Sequence, residues 1–136
     1  MIIKRPAVIL DRDPGAQTYF AAATFLPLSR WRDIYVFFRL SNRTEGQLKR
    51  TPGIVAYSLA TDPLHRHFWT YSVWKDRAAV PGFVKAEPHA TAVAKFQALA
   101  GEGAAFAEWE TTDPRLDWGE AFERLKQPTF YYKKPA

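Results

Sequence analysis

Large apolar and polar positions alternate most clearly in "FWTYSVW", residues 68–74. Phe68, Thr70, Ser72 and Trp74 take one side of an extended chain, and Trp69, Tyr71 and Val73 take the other. Bulky side chains on both sides predict a strand that is covered on both faces. The run "IVAYSLA" (54–60) has the same β-branched and aromatic character, and "TDPLHR" separates the two. Together they predict an antiparallel pair joined by a loop of five or six residues.

Three further stretches read as extended. "QTYFAAATFLPL" (17–28) is mostly apolar, closes at Pro27 and predicts a buried strand, and "AAFAEWETT" (104–112) predicts another. "IIKRPAVIL" (2–10) carries Pro6, which has no N–H to give to a ladder, so it is expected only as a short edge strand.

Helical spacing fills the gaps. After Ser29, a plausible N-cap, about twenty residues place Trp31, Ile34, Phe38 and Leu48 near one stripe, with Arg32, Arg39, Arg43 and Arg50 opposite. "TPG" (51–53) ends that helix. Asp76 can cap a second helix. Pro81 and Gly82, then Pro88, divide this helix into a short piece and a longer one ending near Gly101, with Glu87 near the second cap. Asp117 and Glu120 have capping-box spacing and predict a last helix in "DWGEAFERLKQ".

Strand, helix, strand, strand, helix, strand is the split βαβ, or ferredoxin-like, order: an α+β fold with a four-stranded antiparallel sheet and both helices on one face. Such a sheet leaves its other face bare. The two-sided strand at 68–74 therefore predicts a cover, for which a second copy of the same sheet is expected, in a homodimer.

Composition narrows the chemistry. The 136 residues suit one domain, with a core over about 17–112 and a helical extension at 115–127. The absence of cysteine excludes disulfides, thiolate nucleophiles and thiolate metal sites. No apolar run approaches the roughly 18 residues that a membrane span needs, and no signal peptide is recognisable, so a soluble, cytoplasmic protein with no membrane partner is expected. Net charge is +5 with pI near 9.6, but the basic residues are interspersed with Asp33 and Glu45, and nucleic acid is not an expected partner. Phosphate loops, nucleophile elbows and paired carboxylates at helical spacing are absent from the sequence.

The run "RTPGIVAYSLATDPLHRHFWTYSVWKDRAAVPGFVKAEPHATAV" resembles the dimeric α+β barrel superfamily, and within it the antibiotic biosynthesis monooxygenase-like proteins. Pro52-Gly53 leads into the second strand, "WKD" closes the third, and a helix carries Phe83 and then His89. The similarity spans roughly Tyr19 to Thr112. It implies a dimeric α/β barrel with a cavity between sheet and helices in each subunit. In members of that superfamily the cavity holds an aromatic polycycle oxidised by O₂ without a cofactor, a haem, or a small metabolite. The first strand here lacks the Asn of the haem-degrading branch, Phe83 stands at its helical Trp, and His89 lies about two turns before its axial ligand. These departures argue against haem.

His89 lies on the apolar side of its helix with Val93 and Phe96, where it serves either as a core histidine or as a base facing the cavity. Trp74, Trp69, Tyr71, Tyr57 and Phe83 are the candidate ligand-binding walls, although alternation puts Trp74 and Trp69 on opposite sides. His65 and His67 form a His-x-His pair without a third ligand, so a metal is not expected. Arg39 and Arg43, four apart, suit an anion or a solvated surface. The resulting expectation is a cofactor-independent, monooxygenase-like enzyme acting on an aromatic or polyketide-like substrate. A non-catalytic dimer that binds a small ligand or haem is the alternative.

Overall fold

A computed structural model describes residues 1–12, 14–87 and 89–135. Its elements run β1 (Ile3–Lys4), β2 (Val8–Ile9), β3 (Tyr19–Pro27), α1 (Ile34–Lys49), β4 (Ile54–Asp62) and β5 (His67–Trp74). They continue with α2 (Ala79–Lys85), α3 (His89–Leu99), β6 (Ala105–Thr111), α4 (Trp118–Leu125) and β7 (Phe130–Tyr131). The sheet order is β1-β4-β5-β3-β6-β7, with β2 also on β4 and every pairing antiparallel. The central β4-β5-β3-β6 block has the expected ferredoxin-like order. The sheet is open and has seven strands rather than four, because three two-residue strands extend its edges.

Turn chemistry sets these boundaries. Pro6 separates β1 from β2, and Arg5 N–H still reaches the Leu59 carbonyl at 2.8 Å, so one interrupted edge strand lies along β4. Thr61 and Asp62 belong to β4, which leaves a tighter β4–β5 connection than "TDPLHR" suggested: a 3₁₀ turn at Pro63–His65, closed by Arg66 at φ 57°. Gly53, at φ 89°, makes the turn into β4, and a Cβ there would lie 2.6 Å from that of Ala79. Asp117 caps α4 as expected, accepting from the N–H groups of Gly119 (2.9 Å) and Glu120 (3.4 Å). Asp76 accepts from Ala79 N–H at the start of α2. The break between α2 and α3 falls where it was expected, while Pro88 itself lies outside the described residues.

Two sequence expectations about α1 are corrected. Ser29 does not cap it; its hydroxyl donates to the Ala100 carbonyl (2.8 Å), and a 3₁₀ turn at Trp31–Asp33 leads into the helix without a side-chain cap. The buried stripe is Phe37, Leu40 and Gln47, with Ile34 and Leu48 partly buried, whereas Trp31 and Phe38 face solvent. Apolar residues surround the first turns of this helix, so spacing alone did not fix its register.

The two faces of the sheet are packed differently. On one, α1–α3 rest on aromatic residues: Phe37 and Phe96 meet Phe68 and Leu28, and Phe83 meets Phe20, Ile54 and Trp74. On the other, Tyr19, Ala21, Ala23, Val55, Tyr71, Val73, Ala107 and Trp109 form a cluster with the fully buried Ala121 of α4. The chain's own C-terminal helix thus covers the face for which a second copy was expected. Small residues at Ala21, Ala23 and Ala107 let α4 lie close.

Candidate functional site

The face beneath α1–α3 is closed by aromatics at both ends and not between them. Alternation from Phe20 and Trp74 puts Ala22, Thr24, Thr70 and Ser72 on this face, with Thr24 paired to Thr70 and Ala22 to Ser72. These residues sit in the two central strands, yet all four are only partly buried. Solvent therefore reaches the middle of the sheet between the Phe37/Phe68/Phe96 and Phe83/Trp74/Phe20 clusters. This half-open strip, with an aromatic group at each end and a floor of short hydroxyl side chains, is the candidate cleft.

Its walls are polar at specific atoms. Trp74 Nε1–H donates to Ser72 Oγ at 2.9 Å, which fixes the indole and leaves the Ser72 hydroxyl proton for another acceptor. Thr44 lies one turn from Leu40 and Gln47 on the sheet side of α1, and its buried Oγ1 has no hydrogen-bond partner among the described residues. A buried hydroxyl without a partner costs about 1–3 kcal/mol and calls for an explanation.

Tyr57, buried on the same face of β4, donates its O–H to Glu45 Oε2 of α1 at 2.5 Å, and Arg5 approaches the same oxygen at 3.3 Å. Burial alone pushes the Glu45 pKa up, but the Tyr57 hydroxyl and the Arg5 guanidinium outweigh it and hold the carboxyl below its ordinary value. Burial, and then the Glu45 bond, push the Tyr57 phenol well above its ordinary value. The proton stays on Tyr57, which makes this pair a fixed strut between α1 and the sheet rather than an acid–base couple at neutral pH.

His89 opens α3. Its ring lies 4.5 Å from Phe83, which lies 5.6 Å from Trp74, so three of the residues singled out from the sequence form one row. Gln47 holds that row in place: Nε2–H donates to the carbonyls of Phe83 (3.0 Å) and Ala86 (3.4 Å), and Oε1 accepts from His89 N–H (2.8 Å). Glu87, expected near this cap, instead accepts from the Thr91 hydroxyl.

The remaining candidates lie elsewhere. Trp69 and Tyr71 face α4, with ring centroids 5.6 Å from Phe122 and 5.4 Å from Trp118 respectively. Pleating forbids them from walling one cavity with Trp74, Tyr57 and Phe83 in the same subunit. His65 Nδ1 is tied to Asp62 Oδ2 (2.8 Å), and no group of three metal-ligating side chains occurs among the described residues. Of two open surface grooves, one is lined by Gln47, Asp76 and Glu87 and the other by Ile9, Asp11 and Leu116; neither His89 nor any of the five candidate ligand-binding residues lines either. Gln47, Ser72, Thr44 and Glu45 escaped sequence reasoning. Ser72 had a signal, since it shares the face of Trp74 two residues away.

No family model matches the chain, and no curated protein is similar to it in sequence. Solved structures are similar in fold. SnoaB, a cofactor-independent oxygenase from Streptomyces nogalater, superposes with a TM-score of 0.54 at 17% identity, covering 74% of this chain and 97% of that one. An antibiotic biosynthesis monooxygenase gives 0.55 at 20% identity, covering 71% and 97%. Rv0793 from Mycobacterium tuberculosis gives 0.60 at 14% identity, covering 71% and 96%. At these identities the likeness concerns the fold.

Proposed function

We propose that this chain, which has the fold of the antibiotic biosynthesis monooxygenases, binds a neutral aromatic or polyketide-like compound in the cleft beneath α1–α3 and oxidises it with O₂. The observation that carries this reading is the half-open strip of Thr24, Thr70 and Ser72 between two aromatic clusters. Aromatic ends suit a flat apolar ring system, and hydroxyls suit its carbonyl and phenol oxygens. Unpaired charge is scarce: Glu45 is held by Tyr57 and Arg5, and Glu108 by Arg77 at 3.0 Å.

In this reading His89 accepts a proton from an acidic C–H or O–H of the substrate, and the carbanion then gives electrons to O₂. One oxygen atom enters the product as a carbonyl, the other leaves as water, and the substrate supplies the electrons. Ser72, held by Trp74, donates its hydroxyl proton to the oxygen on which charge develops. No cofactor takes part.

Oxygen consumption with an anthrone tests this. Turnover is expected to fall by about 10²-fold or more in His89→Ala, with the melting temperature unchanged. Undiminished turnover would remove His89 from the chemistry. Anthrone binding without any oxygen uptake would favour the non-catalytic alternative. That alternative has its own support: the Trp74 N–H and the Tyr57 O–H are both already engaged within the protein.

A further inference from the structure

The outer side of α1 carries large aromatics that stay mostly or half exposed, among them Phe38, whose ring also meets that of Phe68 edge-on at 5.4 Å. Trp31, Tyr35 and Phe38 lie along one solvent-facing stripe and are 56%, 71% and 47% exposed. Helical spacing sets Arg32, Arg39 and Arg43 beside that stripe, and the Arg39 guanidinium lies over the Tyr35 ring at 5.8 Å. A second element joins it. Arg66 of the β4–β5 turn lies over the Trp31 ring at 5.0 Å, which brings the neighbouring Leu64, 74% exposed, to the same end of the molecule.

Carboxylates near this surface are turned away or paired. Asp33 is buried against Arg30, Glu45 points to Tyr57, and Asp62 is held by His65. What remains is an exposed aromatic stripe with an arginine row next to it. Isolated exposed apolar residues need no explanation, but a contiguous set on two elements does. We infer that this face docks the protein on an anionic lipid surface, with Trp31, Tyr35, Phe38 and Leu64 entering the headgroup region and Arg32, Arg39, Arg43 and Arg66 pairing with lipid phosphates. Trp and Tyr favour that boundary, and arginines gain from its negative potential.

A second copy fits less well, because a two-fold contact through this face would set the same arginines against each other. The exposed rings also lie along a single helix and the turn that leads into it, unlike the groove with stacking platforms that tracks a nucleic-acid backbone. No helix among the described residues is long and apolar enough to cross a membrane, so the contact is peripheral.

Co-sedimentation of the full chain with vesicles tests the inference. The protein is expected to pellet with phosphatidylcholine vesicles containing phosphatidylglycerol and to stay in solution with phosphatidylcholine alone. Trp31→Ser should abolish pelleting, and Arg39→Gln and Arg43→Gln should each weaken partitioning by about fivefold. Lys134→Gln, which changes net charge equally, should leave it intact. Near-ultraviolet circular dichroism checks that each variant is folded. Equal losses for Lys134→Gln and Arg39→Gln would overturn the proposal by reducing the effect to net charge. So would a dimer in sedimentation velocity that Trp31→Ser dissociates, or tighter binding to single-stranded RNA than to the anionic vesicles.

Discussion

The phenolic oxygen of Tyr57 lies 2.5 Å from Glu45 Oε2, joining the middle of β4 to α1. Hydrogen bonds to a charged acceptor contribute about 1.5–3 kcal/mol, so Tyr57→Phe is expected to lower the unfolding free energy by an amount in that range. Denaturant melts at neutral pH measure it.

The same pair fixes a pH dependence on both sides. Glu45 has a depressed folded pKa, so its contribution is complete above the ordinary carboxylate range and is lost as pH falls through the folded value. Tyr57 has a raised folded pKa, so its contribution is complete below about 10 and is lost as pH rises beyond that. Melting temperature against pH should therefore fall at both ends. In Tyr57→Phe, burial is left to oppose Arg5 without the phenol's help, so the Glu45 share of the acid fall should shrink, and this phenol's share of the alkaline fall should vanish.

Thr44→Val separates stability from binding. It replaces a buried, unpartnered hydroxyl with a methyl group of nearly the same shape and is expected to stabilise the protein by about 1 kcal/mol. Ligand affinity, followed by tryptophan quenching, should drop at the same time. A variant that is both less stable and unchanged in affinity would mean that Thr44 has no role in the cleft.

Ala121 is fully buried where α4 meets the sheet. Ala121→Leu should cost about 1–3 kcal/mol through overpacking and lift α4 from Tyr71 and Trp109. Asp117→Ala, which removes the α4 cap, should cost about 1 kcal/mol. Faster amide exchange confined to 117–125 would confirm that the helix is held from both its end and its face.

Gly53→Ala combines two penalties, a left-handed backbone and a Cβ contact of 2.6 Å with Ala79. Strain at one such position costs about 1–3 kcal/mol, and the clash adds to it, so this variant should melt well below Ala121→Leu.

The sheet was legible because a period of two is hard to mistake when both sides are bulky. Phe68 and Trp74 fall beneath the helices, and Trp69 and Tyr71 beneath α4, as alternation required. The register of α1 was not legible, since Trp31, Tyr35, Phe37 and Phe38 offer several apolar stripes at once. Its buried polar residue, Gln47, is explained only by backbone groups 36, 39 and 42 residues away, the carbonyls of Phe83 and Ala86 and the N–H of His89. The cap of α4 was visible in Asp117 and Glu120, but its destination was not, because capping sets where a helix starts and says nothing of what it covers. Of the candidate site residues read from the sequence, Trp74, Phe83 and His89 come to lie in one row, and Tyr57 reaches α1 through Glu45. The hydroxyls between them look ordinary until the sheet brings Thr24 next to Thr70.

The two-residue strands at the margins have a consequence for the protein in concentrated solution. β7 closes one side of the sheet, and the segment carrying Lys4, Arg5 and Pro6 closes the other. A passing chain therefore meets a broken, partly charged border rather than a long row of free amides. Growth of the sheet from molecule to molecule, the route to fibres, is blocked at both borders.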